Sequence, residues 1–478
     1  MANQVKQFNG VDIGDIKEIN GLTDANLKNL NDQEFQGSTD AQLIDFSTQE
    51  ADGTAIDSGT GFNTDRSEGI SLAFDPDTNQ VIIAFSDRAN STRGTIRIGT
   101  ISGTTVTFGD KIVTDSSHTG VTSTGCHYDQ INDRLIVVQN DPYSTFTGEG
   151  GIYATGFELN SSRGVATQGT TTEVYKAGNG QAVSNNNLSE IQDHDGVVDV
   201  LYENRQSTPN DNYVKTVRID NASTCSLTIS SDAEFAQDNS NYFGIAYSPD
   251  EDKNFIIYNE GNTLKGNTIT HFSGSPSIGS NEASFPVSNA VLDAAEPRGG
   301  RTMIYDTEHN KFHFIFRYDG SNSNNAVNDN LYISNASISG TNVTFANTGN
   351  PTTTMNNTVE ISDLKYGSHY SSNQSGAGLI YSHQRQRIIM HGNSSNSETG
   401  STKKFHVLDY NGSSYTKSSS PIDVFTASGA PWYFHSILTD NASGILGTVN
   451  LVGYFIYGGS NDGKTFIKGI DAGDSAIS

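Results

Sequence analysis

Apolar and polar residues follow one unit that recurs along the chain: a short strand that ends in an aromatic residue, a polar turn, and a strand that is apolar at consecutive positions. The stronger copies lie at 69–85, 125–139, 243–259, 301–317 and 377–391, and a weaker copy lies at 188–203. The aromatic residues before the turns of the five stronger copies are Phe74, Tyr128, Tyr247, Tyr305 and Tyr381. A unit that returns in this way predicts a repeat architecture.

Further strands follow the recurring unit. Residues 95–109 and 330–346 each contain a strand, a Ser-Gly-Thr turn and a second strand that ends in Thr-Phe. The repeat is therefore a four-stranded meander whose middle strand is apolar on both faces, which is typical of sheets that stack face to face. Repeated four-stranded sheets with apolar centres predict an all-β protein with a β-propeller fold.

The last copy, at 432–470, contains three strands, and AQLIDF at 41–46 can supply the fourth. This pairing would close the ring through a composite blade and leave no unpaired edge. We predict seven four-stranded blades over residues 37–478. Six or eight blades, or an array of two-sheet sandwiches, are the alternatives, because the copy at 188–203 is weak and 347–375 has no assigned strand.

Residues 1–36 lie outside this pattern and repeat with a period of 11 residues: Ile16-Lys17-x-Ile19-Asn20 aligns with Leu27-Lys28-x-Leu30-Asn31. Apolar residues three positions apart predict two short helical turns that present one apolar edge. Such turns are too short to be stable alone, so the segment packs either on its own propeller or on another protein. We predict an anchor to another protein, formed by Val11, Ile13, Ile16, Ile19, Leu22, Leu27, Leu30 and Phe35.

The run FNGVDIGDIKEINGLTDANLKNLNDQEF, at 8–35, resembles the N-terminal segments of virion structural proteins from tailed bacteriophages, especially marine ones, in which DIKKING-like repeats precede a β-rich body. The resemblance implies a virion protein (a tail fibre, a tail accessory protein or a head decoration) that is assembled in the bacterial cytoplasm of the host. It implies other tail or capsid proteins as partners. It also implies that Asn20 and Asn31 are turn residues beside the anchor edge.

The charge of the chain excludes several kinds of partner. There are 28 Lys and Arg against 54 Asp and Glu, a net charge of −26, whereas nucleic-acid binding requires clustered basic residues. The longest apolar runs are a handful of residues, far short of the ~20 needed to span a bilayer. The N-terminus also lacks the apolar region of a signal peptide. We predict an acidic protein that neither binds nucleic acid nor inserts into a membrane, and no heptad repeat indicates its oligomeric state.

No strong catalytic motif is present: the sequence has no GxSxG, HExxH, Walker or EF-hand pattern. We therefore predict a protein that is not an enzyme and has no cofactor. The acidic turns at 75–77, 250–252 and 306–308 offer oxygen ligands for calcium. Asp and Asn are, however, the residues that tight turns require for backbone reasons, so we predict no metal site.

A glycan-binding or sialidase-like propeller is the alternative function. The stretch at 459–466 resembles the Asp-box of sialidase-like propellers, but Gly459 replaces its Ser and Asn461 replaces its Asp. A sialidase would also need three arginines that grip a carboxylate, and Arg97, Arg218 and Arg301 lie on or beside strands of different blades.

Aromatic residues are predicted to bind a host-surface glycan or protein, because their rings stack on sugars. The long insertions at 139–150, 203–213, 318–330 and 392–403 are the predicted place of this contact, since loops commonly carry function. For Trp432 and Tyr433 the alternative is a place in the core of the last blade. The predicted ligand-binding residues are Tyr366, His369, Tyr370, Trp432 and Tyr433.

Overall fold

The structure is a computed structural model. It describes residues 7–8, 11–12, 18–19, 22–23, 29–30, 33–34, 42–45, 47–48, 60–63, 67–75, 77–102, 105–141, 150–176, 191–194, 196–204, 211–237, 243–261, 263–272, 275–287, 290–292, 302–318, 330–346, 358–365, 377–382, 386–393, 403–423, 431–438, 449–458 and 465–471. The side chains that it describes all lie between residues 67 and 421.

The N-terminal segment forms three β-hairpins, and the predicted helical turns are wrong. The hairpins are β1 (Gln7–Phe8) with β2 (Val11–Asp12), β3 (Glu18–Ile19) with β4 (Leu22–Thr23), and β5 (Asn29–Leu30) with β6 (Gln33–Glu34). They recur every 11 residues, the period that the sequence shows. Each hairpin closes over two residues, which are Asn-Gly in the first two hairpins and Asn-Asp in the third. Asn-Gly between apolar residues is a strong hairpin signal because both residues tolerate positive φ.

Three short strands lie between this segment and the first sheet: β7 (Gln42–Asp45), β8 (Ser47–Thr48) and β9 (Thr60–Asn63). The first sheet contains β10 (Ser67–Asp75), β11 (Gln80–Asp87), β12 (Arg93–Ser102), β13 (Thr105–Phe108) and β14 (Ile112–Val113), with a 3-10 turn at Arg88–Asn90. The second sheet contains β15 (Ser123–Asp129), β16 (Arg134–Asp141), β17 (Gly151–Asn160), β18 (Gly164–Gln168) and β19 (Thr172–Lys176). The third contains β20 (Ile191–His194), β21 (Val197–Asn204), β22 (Asp211–Asn221), β23 (Ser226–Ile229) and β24 (Ala233–Ala236).

The fourth sheet contains β25 (Phe243–Ser248), β26 (Lys253–Glu260), β27 (Thr263–Phe272), β28 (Ser275–Ile278) and β29 (Ala283–Ser284). The fifth contains β30 (Ala290–Val291), β31 (Met303–Asp306), β32 (Lys311–Tyr318), β33 (Asn330–Ser339), β34 (Asn342–Phe345) and β35 (Val359–Lys365). The sixth contains β36 (Gly378–Ser382), β37 (Arg387–Asn393), β38 (Lys403–Tyr410), β39 (Tyr415–Lys417) and β40 (Ile422–Asp423). The last contains β41 (Pro431–Leu438), β42 (Val449–Gly458) and β43 (Thr465–Asp471).

These sheets form a β-propeller, as the sequence predicts. Each is an antiparallel meander, and its outer strand is split into two pieces that both pair with the third strand, as β13 and β14 do with β12. Each first strand contacts the first strand of the next sheet, and β41 contacts β10, so the first strands form a closed ring. One residue pair, Lys365 with Asn393, joins the fifth and sixth sheets. The count of seven blades stays a prediction of the repeat.

The predicted closing strand is present. β7 pairs antiparallel with the end of β43, from Asp45 opposite Lys468 to Gln42 opposite Asp471. β9 pairs with the beginning of β43, so the outer strand of this composite sheet is split in the same way as those of the other sheets. The second piece, Thr60–Asn63, is not predicted from the sequence. The domain boundary after residue 36 stays a prediction.

The core is divided among the spaces between neighbouring sheets. Along β16, Leu135 and Val137 pack toward the first sheet, whereas Ile136 and Val138 pack toward the third. All four are at most 1% exposed. A second strand that is buried on both faces explains the continuous apolar runs of the repeat.

Neighbouring first strands run in the same direction around the ring. Thr124 Oγ1 donates to the carbonyl oxygen of Gly69 at 2.6 Å, which joins the beginnings of β15 and β10. At the other end, Tyr305 Oη donates to Asp250 Oδ2 at 2.7 Å, which joins the first turns of the fifth and fourth sheets. The propeller thus has a turn face, where first strands connect to second strands, and an opposite loop face, where second strands connect to third strands.

Candidate functional site

The turn face is built from one repeated side-chain arrangement. In three copies, Oδ1 of the first aspartate of the turn accepts hydrogen bonds from the backbone N–H groups two and three residues later, at 2.8 to 3.3 Å. This Asx arrangement holds the turn without help from another strand. The aspartates are Asp75, Asp129 and Asp306.

The residue four positions after the start of each turn adopts the left-handed conformation. Its φ lies between +50° and +56° in Asn79, Asp133, Asp252, Asn310 and Gln386. The tyrosine that precedes the turn donates its hydroxyl to this residue: Tyr128 to Asp133, Tyr247 to Asp252 at 2.9 Å, and Tyr305 to Asn310 at 3.4 Å. The aromatic residue of the repeat is therefore part of the turn.

In the acidic turns at 75–77 and 306–308, the first aspartate holds the backbone of the turn, whereas Asp250 and Asp252 accept from tyrosine hydroxyls. Among the described residues, carboxylate oxygens of Asp75, Asp77 and Asp133 lie within 4.8 Å of one another. Asp75, however, already accepts from two backbone N–H groups and from the Thr78 hydroxyl. Exposed acidic groups are commonly close together without an ion, so this proximity by itself does not indicate a metal site.

The predicted ligand-binding positions follow or begin strands whose adjoining ends lie at the loop face. Residues 366–376 follow β35 and precede β36, and Trp432 and Tyr433 lie at the beginning of β41, the end of a first strand that adjoins the loop face. The strands that flank the insertions predicted to contact a host surface are second and third strands of the second, third, fifth and sixth sheets, and the adjoining ends of these strands lie at the loop face. Tyr366, His369 and Tyr370 lie outside the described residues, and for Trp432 and Tyr433 only the backbone is described.

Of the eight predicted anchor residues, four have a described backbone and four lie outside the described residues. Val11, Ile19, Leu22 and Leu30 lie in the hairpin strands, where the backbone alone is described. Phe8 pairs with Val11, and Ile19 with Leu22, directly beside their turns. The remaining members, Ile13, Ile16, Leu27 and Phe35, lie outside the described residues.

Two of the three arginines considered for a sialidase site, Arg97 and Arg218, lie away from the centre of the ring. Arg97 lies on β12 and Arg218 on β22, which are third strands. Two strand spacings of ~4.8 Å separate a third strand from the first strand of its sheet. Arg97 Nε donates to the carbonyl oxygen of Gly109 at 2.9 Å, and its guanidinium lies over the Phe108 ring. Arg301 lies outside the described residues.

A buried polar network links the fifth and sixth sheets beneath the turn face. His313 Nε2 lies 3.3 Å from Asp306 Oδ2, and His313 Nδ1 lies 2.7 Å from the Tyr415 hydroxyl, to which Asn335 Nδ2 also donates at 3.1 Å. Burial lowers the pKa of His313, despite the opposing effect of Asp306. Burial opposes ionisation of Asp306, but its hydrogen bonds, first that from His313 and also that from His309, outweigh burial and hold its pKa well below the usual range. The network therefore holds a neutral imidazole against a carboxylate.

In a second aspartate and histidine pair, the histidine contacts a serine hydroxyl rather than a tyrosine hydroxyl. His406 Nε2 lies 2.9 Å from Asp363 Oδ2, and His406 Nδ1 lies 2.9 Å from the Ser418 hydroxyl. Lys417 Nζ lies 3.4 Å from the other oxygen of Asp363. His406 is buried, whereas Ser418 is half-buried. This cluster combines a hydroxyl, a base and a carboxylate at a place that solvent reaches.

A third pair lies at the junction of the first and second sheets. His118 Nδ1 lies 3.4 Å from Asp141 Oδ2, and His118 Nε2 lies 3.6 Å from Asp115 Oδ2. The His118 ring stacks on the Tyr153 ring, with 3.8 Å between the centroids. Burial opposes ionisation of Asp115, but hydrogen bonds from Ser117 and Thr171 outweigh it and lower the pKa. This cluster ties the connection between the two sheets to β16 and β17.

None of these three pairs is predicted from the sequence. Each cluster also needs a partner that is distant in sequence, which is Tyr415 for His313, Asp363 for His406 and Asp141 for His118, so local spacing does not reveal it. One signal is present: three residues after the left-handed position, the aligned copies have Ile82, Ile136, Phe255 and Ile389, whereas the fifth sheet has His313. A polar residue in an apolar column of a repeat indicates a buried partner.

No protein-family model and no curated protein matches the chain. Among solved structures, it is similar to a protein of unknown function from Dyadobacter fermentans DSM 18053, with 10% identity, 91% of this chain and 98% of that chain covered, and a TM-score of 0.43. The NanB sialidase from Streptococcus pneumoniae has 10% identity, with 87% and 70% covered and a TM-score of 0.42. The β-propeller domain of the Trilobed protease from Pyrococcus furiosus has 7% identity, with 85% and 94% covered and a TM-score of 0.40. Similarities at this level concern the fold alone, which the sheets themselves establish.

Within the described part of the chain, no helix combines the length and apolar content needed to cross a membrane.

Proposed function

We propose that the protein is a structural component of a bacteriophage particle, with an N-terminal segment that docks on other virion proteins and a propeller that contacts the host surface. The observation that supports this most is the opposite placement of the two parts. Gln42, the first residue of β7, lies at the turn face, opposite Asp471 and next to the β41–β42 connection. The ends of the second and third strands that flank the long insertions lie at the opposite, loop face.

The hairpins of the N-terminal segment support a docking role. Each is a sheet of two strands that pairs with no other described strand. A lone two-stranded hairpin is marginally stable in water, so the segment needs a surface to cover its apolar pairs. Residues 1–36 carry three lysines against six acidic residues. Because the propeller is also acidic, charge does not favour docking of the segment on its own body, and we propose a virion protein of the tail or capsid as its partner.

The loop face supports a binding role. The turn face uses its aspartates and tyrosines to hold its own turns, whereas the long insertions and the Tyr366, Trp432 and Tyr433 positions adjoin the loop face. We propose a host glycan or protein as the ligand there. A net charge of −26 disfavours nonspecific adhesion to anionic cell surfaces, so this contact has to be specific or assisted by cations.

Electron microscopy of purified particles from the source, labelled with antibody raised against residues 37–478, tests the proposal. Label on the tail or capsid is the expected result, and its position separates host attachment from head decoration. An antibody that recognises the denatured protein in infected cells but labels no intact particle would contradict the virion role.

A further inference from the structure

Ser418, His406 and Asp363 form a continuous line of hydrogen bonds. The Ser418 hydroxyl lies 2.9 Å from His406 Nδ1, and His406 Nε2 lies 2.9 Å from Asp363 Oδ2. A nucleophile bonded to a base that is held by a third group is the geometric signature of an activated serine. Such constellations are recognised by geometry and roles rather than by sequence position.

The protonation states match those roles. Burial disfavours the charged form of Asp363, but the hydrogen bond from His406 and the Lys417 charge outweigh it and lower its pKa, so the group is an acceptor at neutral pH. Burial lowers the pKa of His406, against the opposing effect of Asp363, so its imidazole is neutral. Nε2 then carries the proton that Asp363 accepts, and the lone pair of Nδ1 faces the Ser418 hydroxyl.

The backbone holds the three side chains in place. Asn330 pairs with Lys365 while the next residue, Leu331, pairs with Ile361, so the stretch that contains Asp363 bulges out of register. Bulges re-aim side chains and are common beside active sites. On the other side, the backbone N–H of Ser418 donates to the carbonyl oxygen of Val407 at 2.9 Å, which fixes the serine beside the strand that carries His406.

The His313 network shows what a purely structural version of this arrangement looks like. It has the same order of carboxylate, imidazole and hydroxyl, but its hydroxyl belongs to Tyr415, which is 8% exposed and also accepts from Asn335. That oxygen is buried and bonded to both His313 and Asn335. Ser418 differs because it is half-buried, at the end of β39.

We propose that Ser418 is a nucleophile for acyl transfer from small esters, with His406 as the general base and Asp363 as a positioning residue. Ser418 Oγ forms a bond to the carbonyl carbon while its proton passes to His406 Nδ1. The C–O bond to the leaving group then breaks, and the leaving alkoxide takes that proton. Water, deprotonated by the same nitrogen, hydrolyses the acyl-serine and restores the hydroxyl. This activity goes beyond the proposed function and is incompatible with the prediction that the protein is not an enzyme.

A fluorophosphonate probe on the full chain tests the proposal, because Ser418 Oγ would bond to phosphorus and release fluoride. We expect one probe per chain, located at Ser418 by peptide mass spectrometry, no label in S418A, and unchanged labelling in S413A. Ser413 is the matched control: it is exposed, and its hydroxyl contacts Asn411 rather than a histidine. A folded wild-type protein that takes up no probe, or label that persists in S418A, would refute the proposal.

Variants of the base separate chemistry from structure. H406Q should slow labelling by about 10²–10⁴-fold, the usual contribution of a general base, and D363N should slow it to a smaller extent. Circular dichroism and the unfolding midpoint are measured for both variants. If D363N keeps the wild-type midpoint and also the wild-type labelling rate, Asp363 has no positioning role and the inference is wrong. Hydrolysis of p-nitrophenyl acetate, lost in S418A, provides the turnover readout.

Discussion

Two N-terminal deletions distinguish the anchor from the ring. Deletion of residues 1–36 removes the three hairpins but leaves β7, whereas deletion of 1–46 also removes the strand that pairs with the end of β43. If the hairpins serve only docking, the first deletion should leave the propeller as stable as the full chain. The deletion of residues 1–46 should open the composite sheet.

The pairing of β7 sets the size of the effect. Four residue pairs join β7 to β43, which corresponds to about four backbone hydrogen bonds at ~0.5–1.5 kcal/mol each. The composite sheet should therefore lose about 2–6 kcal/mol of unfolding free energy in the longer deletion. The exposed edge of β43 is also a template for pairing with another chain, so this variant should associate at high concentration. The shorter deletion should change the unfolding free energy by less than ~0.5 kcal/mol, as for surface changes.

Urea unfolding reports this difference locally, since Trp432 is the single tryptophan of the chain and lies in β41 of the composite sheet. Its fluorescence follows that sheet, and circular dichroism follows all of them. We expect the fluorescence midpoint to fall in the longer deletion alone. If the deletion of 1–36 lowers it as far as the deletion of 1–46, the hairpins belong to the fold and the anchor interpretation is wrong.

Three further predictions concern the described core. Y415F leaves His313 and Asn335 without their buried hydrogen-bond partner, at a cost of ~1–3 kcal/mol of stability each. Y410F loses one hydrogen bond to a carbonyl oxygen. Urea unfolding should show that Y415F is clearly less stable than Y410F, and equal stabilities would contradict the network. Asp306 has a lowered pKa, so its contribution is present above pH ~4 and lost as pH falls below it; the stability gap between wild type and D306N should shrink from pH 7 to pH 3, and a constant gap would refute this. G69A and G340A both place alanine at positive φ, which costs ~1–2 kcal/mol of stability. Only the Cβ at position 69 would also lie 2.3 Å from the backbone of the second sheet. G69A should therefore unfold at a markedly lower temperature than G340A, and similar unfolding midpoints would show that this backbone moves to accommodate the Cβ.

The strands of the repeat are predictable because burial on both faces leaves a continuous apolar run, as in Lys253–Glu260. The same logic reaches the closing strand at Gln42–Asp45. Thr60–Asn63 is not predictable in this way, since its sequence, TGFN, has a single apolar residue and therefore no run to detect. In the N-terminal segment, the spacing of apolar residues predicts helical turns, whereas the structure has hairpins. The Asn-Gly pairs at 9–10 and 20–21 are the stronger signal because they determine the turn directly.

The side chains of the candidate site are harder to predict for a different reason. Asp363 and His406 are 43 residues apart and meet across the fifth and sixth sheets, where β35 bulges out of register. Ser418 is one of many serines in a Ser-rich chain, and nothing in its neighbours distinguishes it. A catalytic motif search depends on local order, which an arrangement built across two sheets does not have.

The composite sheet also sets the order of events during synthesis. Asp45 pairs with Lys468, so more than 400 residues must be made before the ring can close. At roughly 5–20 residues per second, the early strand waits on the order of 20–85 s for its partner. Contacts this distant in sequence are slow to form. The repulsion between chains of net charge −26 opposes association of open rings on neighbouring ribosomes while each waits for its last strand.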